Sequence, residues 1–394
     1  MKTVTANEHG VQNGMVTNSG GFRSYQQIPV AGTLKALYAR SSTVPGFGKS
    51  RIWAGYKNLI AQGLTATITG AGVDTASDLV NSFAVSPADE VYLLISSSGT
   101  PASSYLQWSL LFDSGDPSVG ICMGGGRAVY NAINYDHPMS AQRIDDTNTA
   151  ENRAYQVMPC KGAFSKMYVI MLNGPNKLGA SFHFHLRNGG SSSPLFAIVQ
   201  DLGTTGSDLV NHADVNAGDI INMMVEPNGS PAGGNYCGWG MRFDSDVAGL
   251  FPVLGGSGAS LNTGAAQWHA IAPLVWNMAY AAATDTMLQL LSPCVLKNLY
   301  VAVTAAPGVG KKWTFEVAVN GAPTTLKAEI AGAATSANNT ATELTINAFD
   351  LVSLKITPSG TPAAAYATWG VCTQVEVAGG CWGLHQGAKY EMVS

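Results

Sequence analysis

Charged residues make up only 12% of the 394-residue chain and leave a formal net charge of −4, about half the roughly 25% charged share usual in soluble proteins. No lysine or arginine cluster offers the basic stripe that would replace phosphate counterions, so a nucleic-acid partner is excluded. Evenly spread Trp, Tyr and Phe exclude a disordered chain, which would be poor in aromatics and richer in charge.

The first 20 residues are polar and rich in Asn and Gly, and predict an arm (1–20) that orders only against a partner. Met1 to His9 lacks an apolar signal region, which predicts a chain made in the cytosol. Beyond the arm, short alternating or apolar runs separated by turn residues predict strands at Leu34–Arg40, Arg51–Asn58, Leu64–Thr69, Val80–Val85, Glu90–Ile95 and Tyr105–Phe112. The stretches flanking this set add about two more, and seven or eight antiparallel strands in about 130 residues fit a two-sheet, jelly-roll-like sandwich. The longest apolar stretch, Trp268 to Ala283, is broken by His269, Pro273 and Asn277 and falls short of the roughly 20 residues of a membrane helix. No membrane insertion is expected.

The same text is then written again. Arg23-Ser24-Tyr25-Gln26-Gln27-Ile28-Pro29 returns as Arg153-Ala154-Tyr155-Gln156-Val157-Met158-Pro159, offset by 130 residues, and a frayed copy ends at Pro293. Ser98-Gly99-Thr100-Pro101-Ala102 returns at Gly229–Ala232 and Ser359–Ala363, each followed by a tyrosine and a tryptophan: Tyr105 and Trp108, Tyr236 and Trp239, Tyr366 and Trp369. A period this long exceeds any solenoid unit and suits a whole small domain. The expected organisation is all-β, with three tandem homologous β-sandwich (jelly-roll-like) domains at 21–120, 121–250 and 251–394, the last carrying a C-terminal tail. The three tryptophans read as core plugs. Asp89, Asp219 and Asp350 read as turn formers that bond their own backbone. The Gly-rich passages Gly120–Gly126 and Gly255–Gly264 read as ordered crossings that send a strand into the next domain, and the tail from Gly379 to Ser394 as closing the last domain or docking on a neighbour.

Little of this is chemistry. Six cysteines (Cys122, Cys160, Cys237, Cys294, Cys372 and Cys381) include no C-x-x-C pair and none in the body of the first copy. They are expected to be free, buried thiols. Pro45-Gly46-Phe47-Gly48-Lys49-Ser50 resembles the end of a phosphate loop, but Thr43 stands where the loop needs its first Gly and a strand follows where it needs a helix. His183-Phe184-His185 places two imidazoles on one strand face; a metal site needs at least one further ligand, and His212 is the other histidine in that stretch. The other copies have no such pair, with Ala54 and Tyr56 nearby in one and Val317 and Val319 in another. Asp113, Asp116 and the Asp145-Asp146 pair lack a calcium-loop spacing. Asn228-Gly229-Ser230 and Asn338-Asn339-Thr340 match a glycosylation pattern only. No catalytic, cofactor or metal residue is therefore expected, and the chain reads as a non-enzyme.

The turn phrases P-G-x-G-K and S-G-T-P-A-x-x-Y-x-x-W, at Pro45–Lys49 with Ser98–Trp108 and at Pro307–Lys311 with Ser359–Trp369, are similar to those of repeat domains in tailed-bacteriophage virion surface proteins. The middle copy departs from them, with Asn173-Gly174-Pro175-Asn176-Lys177 and one extra residue before Trp239. The resemblance implies a structural protein of a phage particle, either a capsid decoration (cement) protein or a tail or fibre component. It would be assembled in the host cytoplasm onto other virion proteins, with self-association into a homo-oligomer also open. The rival reading is a carbohydrate- or receptor-binding sandwich that takes a host-surface glycan on Trp53, Trp268, Trp276 or Trp382.

Overall fold

The computed structural model describes residues 8–10, 26–102, 104–129, 133–140, 142–143, 150–232, 235–272, 289–375 and 381–388. The fold is all-β and sandwich-like; the one helical element among the described residues is a single 3-10 turn, Glu151–Arg153. No helix among them is long and apolar enough to cross a membrane.

Every strand predicted in the first copy forms, usually with longer ends: Gly32–Ser41, Gly46–Lys57, Ile60–Gly70, Thr75–Val85, Glu90–Ser98 and Leu106–Asp113. Alternation sets the faces. Along Ile60–Gly70, Leu64, Ala66 and Ile68 are buried while Thr65 and Thr67 face out, as a half-buried sheet requires. One sheet runs in the order Glu8–Gly10, Glu90–Ser98, Gly46–Lys57, Ile60–Gly70, and the facing one joins Leu106–Asp113, Gly32–Ser41 and Thr75–Val85.

This pairing recurs along the chain. Tyr135–His137, Ile220–Asn228, Ser181–Asn188 and Ser191–Gln200 repeat the first order, opposite Asn235–Ser245, Gly162–Met171 and Thr205–Val215. Gln267–Ala270, Leu351–Ser359, Gly308–Val319 and Ala322–Gly332 repeat it once more, opposite Ala367–Gln374 and Cys294–Val303. In that last copy the strand equivalent to Thr75–Val85 is split into Ser336–Asn339 and Leu344–Ile346, both paired with Cys294–Val303.

Small local devices are copied with equal fidelity. Gly32–Ser41, Gly162–Met171 and Cys294–Val303 each carry a register shift beside a residue with positive φ, namely Ala36, Lys166 and Asn298. The Asp78 carboxylate accepts hydrogen bonds from the backbone of Val80 and Asn81. Asp208 does the same for Val210 and Asn211, and the Asn339 side-chain oxygen for Ala341 and Thr342. Asp89, Asp219 and Asp350 accept the backbone N–H three residues earlier, from Ser86, Asn216 and Asn347, as their turn-forming reading requires.

Trp108, Trp239 and Trp369 are buried in the core. Trp53 and Trp313 join them from the facing sheets. Arg51 occupies an inward position whose register counterparts are Phe182 and Trp313. Its guanidinium donates to Ser41 Oγ (2.8 Å), the Thr43 carbonyl (2.7 Å) and the Ala102 carbonyl. Burial lowers its pKa to about 10. It ties together the two turns whose phrases recur in the sequence.

Candidate functional site: strand exchange between the copies

The copies are joined by backbone pairing. The passage containing Gly120–Gly126 is the strand Val119–Val129, which leaves the first copy and pairs antiparallel with Asn235–Ser245 of the second, setting Gly124 opposite Trp239. Leu250–Gly256 leaves the second copy and pairs with Ala367–Gln374 of the third, setting Gly255 opposite Trp369. The tail strand Cys381–Ala388 leaves the third copy and pairs along its whole length with Leu106–Asp113 of the first, setting Gln386 opposite Trp108. Each copy therefore completes a sheet of the next, and the last completes the first. The tail strand thus bridges its own copy, where Gln386 also pairs with Leu290, and the first copy, and it closes the chain into a ring.

Glycine is required where donor strand and tryptophan meet. A Cβ on Gly124 would fall against the Met139 carbonyl and the Trp239 indole, and one on Gly255 would overlap the Trp369 indole. With glycine there, the indole N–H groups donate to the Met139 carbonyl (2.8 Å) and the Ile271 carbonyl (2.7 Å), which satisfies the polar end of a buried ring.

The recurring R-x-Y-Q-x-[IM]-P phrase belongs to the same joints. Gln26-Gln27, Gln156-Val157 and Gln289-Leu290 pair with Glu90–Ser98, Ile220–Asn228 and Leu351–Ser359 of their own copies. On their other side they reach the next copy. Gly240 lies against the Gln27 carbonyl and Pro29, and Gly370 against the Val157 carbonyl and Pro159, with no room for a side chain at either glycine. At the closing joint Ser109 replaces the glycine, and Ser292 Oγ donates to Ser109 Oγ at 3.1 Å in a buried pair. Between the second and third copies the joint leaves a cleft of about 290 Å³ lined by Tyr155, Ile220, Val303, Thr304 and Tyr366. Arg153 stands over the Tyr366 ring at 5.0 Å.

The residues singled out for chemistry are mostly absorbed by structure. Gly46–Lys57 runs straight through the phosphate-loop lookalike, with Phe47 95% exposed at its tip and Val309 in the same place in the third copy. Trp53 is fully buried, which removes it as a sugar platform; Trp268 is also buried, with the Lys355 ammonium 5.7 Å from its ring centre. Trp276, the Trp382 side chain, the Asp145-Asp146 pair and most of the arm lie outside the described residues. Of the arm, Glu8–Gly10 is described, and it pairs with Leu93–Ile95 of the first copy. Asp113 holds Lys35 (2.7 Å) and the Gly115 N–H, and Asp116 accepts from the Ser118 N–H. Cys122, Cys160, Cys237, Cys294 and Cys372 are free and buried. Burial pushes the Cys122, Cys237 and Cys294 thiols up to about 12, leaving them inert at neutral pH. His212 lies on the facing sheet, with Asp214 4.0 Å away. His183 and His185 stand elsewhere, beside Glu226, a neighbour that spacing alone does not reveal. Pairing register gives their counterparts as Ile52 and Ala54 in the first copy and Thr314 and Glu316 in the third, a shift from the residues that sequence proximity picks out.

No family model matches the chain, and no curated protein matches it in sequence.

Proposed function

We propose that the chain is a non-enzymatic structural protein of a phage particle, built as three tandem jelly-roll-like sandwiches closed into a ring, and that it serves as a capsid decoration or a tail or fibre component. The observation that supports this reading is the cyclic strand exchange. It gives one polypeptide the connectivity of a closed trimer, with three similar faces that do not depend on subunit concentration. A ring of this kind suits a site on a particle surface where three equivalent neighbours meet. The low charge and small polar surface residues suit broad contact there, and the landmarks that recur build turns, cores and joints, not an active site. The polar, Asn- and Gly-rich arm is the segment best suited by composition to anchor it on a neighbour.

The test is electron microscopy of intact particles assembled with the full chain and with a chain lacking residues 1–20. The expected result is external density with pseudo-threefold symmetry for the full chain, and a folded truncated chain that no longer joins the particle. Purified particles that contain no copy of the full chain would overturn the proposal. Full occupancy by the truncated chain would overturn the role given to the arm.

A further inference from the structure

We propose that His183, His185 and Glu226 bind one divalent transition-metal ion of the zinc class on the outward face of the middle copy. Along Ser181–Asn188 the apolar residues Phe182, Phe184 and Leu186 are fully buried. The alternate positions put both imidazoles on the opposite face. Antiparallel pairing with Ile220–Asn228 then sets Glu226 directly across from His183. Two strands of one sheet thus deliver three ligands without help from a loop.

The spacing fits an ion. One ligating atom from each residue lies within 4.8 Å of the other two, and His185 Nε2 is 3.4 Å from Glu226 Oε2. Donors about 2.0–2.2 Å from a tetrahedral Zn²⁺ stand roughly 3.4 Å from one another, so one edge of the site already has the spacing of an occupied one. His185 Nε2 is shielded from solvent and faces the Glu226 carboxylate across that edge. Phe196 stacks on the His185 ring at 5.3 Å and fixes its plane. Ser181 Oγ hydrogen-bonds His183 Nε2 at 2.9 Å and orients that ring.

Charge does not oppose the site. Arg187, two residues along the same face, is engaged by Glu151 at 2.8 Å. Two imidazoles and one carboxylate form a borderline donor set that selects Zn²⁺-like ions over Ca²⁺ or Mg²⁺, which need more oxygens. Three ligands leave a coordination position open, for water or for a donor from a neighbouring molecule. The site belongs to the middle copy alone, since register places Ile52, Ala54 and Ser96 there in the first copy and Thr314, Glu316 and Thr357 in the third.

Equilibrium dialysis of the full chain against Zn²⁺, with Ca²⁺ as control, tests the proposal. Stoichiometric zinc uptake without calcium uptake is expected, with affinity at least about tenfold weaker in His185→Asn and in Glu226→Gln. Both substitutions lie on the outward face, so unfolding midpoints in chelator should match the wild type and separate lost ligation from lost folding. A wild-type chain that takes up no zinc, or a His183→Asn/His185→Asn double variant that binds it with unchanged affinity, overturns the site.

Discussion

A chain ending at Val375 is expected to lose the ring. Removing Cys381–Ala388 strips the partner from Leu106–Asp113, where eight consecutive residues are paired from Cys381 opposite Asp113 to Ala388 opposite Leu106. At ~0.5–1.5 kcal/mol for each backbone hydrogen bond, the loss is on the order of 5 kcal/mol, concentrated in the first copy. Leu106, Trp108, Leu110 and Phe112 lie on the strand left open, and all are buried in the intact protein. An unpaired edge above such a core recruits another strand. The truncated chain should therefore unfold in two steps in urea and form dimers or larger species on size-exclusion chromatography with light scattering. A single transition at the wild-type midpoint, from a monomer, would show that the tail contributes nothing to the fold.

Acid should weaken the third copy through one residue. His269 is 3% exposed on Gln267–Ala270, with its ring centre 5.4 Å from that of Trp369. Burial lowers its pKa from 6.5 to about 4. The sign follows from where the proton goes. Between pH 6.5 and 4 the unfolded chain takes up a proton that the folded imidazole refuses, so stability present above pH 6.5 is lost as the pH falls towards 4. At 1.36 kcal/mol for each pKa unit the loss is about 3 kcal/mol. Asp78 and Asp208, whose pKa values their hydrogen bonds lower against burial, add acid sensitivity only below the ordinary carboxylate value of 3.8. The two windows are therefore separable. Urea unfolding at pH 7 and pH 4.5 should show most of the His269 loss in the wild type and little of it in His269→Phe. Equal acid losses in both proteins would remove His269 as the cause.

The strands were legible because alternation and turn residues are local signals, and the copies were legible because their turns and tryptophans are spaced alike. Trp108, Trp239 and Trp369 read as core plugs for that reason, and they are. Trp53 misleads in sequence: it is not shared as a tryptophan, although Phe184 and Phe315 hold the same inward position in the other copies. The tail is the instructive case. Val119 follows Trp108 by 11 residues, Leu250 follows Trp239 by 11 and Cys381 follows Trp369 by 12. The spacing of the closing strand was thus present in the chain, but its partner is Leu106–Asp113, more than 250 residues away, and no local pattern names a partner at that distance. Glu226 escaped for the same reason, since only pairing register brings it to His183.

Hydrogen–deuterium exchange resolved to peptides tests the ring most directly, because it reads the closing strand in the intact chain. If Cys381–Ala388 pairs with Leu106–Asp113, its amides should be protected as strongly as those of Val119–Val129 and Leu250–Gly256, and truncation at Val375 should deprotect Leu106–Asp113. Exchange of 381–388 at the rate of an unstructured peptide, with Leu106–Asp113 indifferent to truncation, would contradict the closed ring.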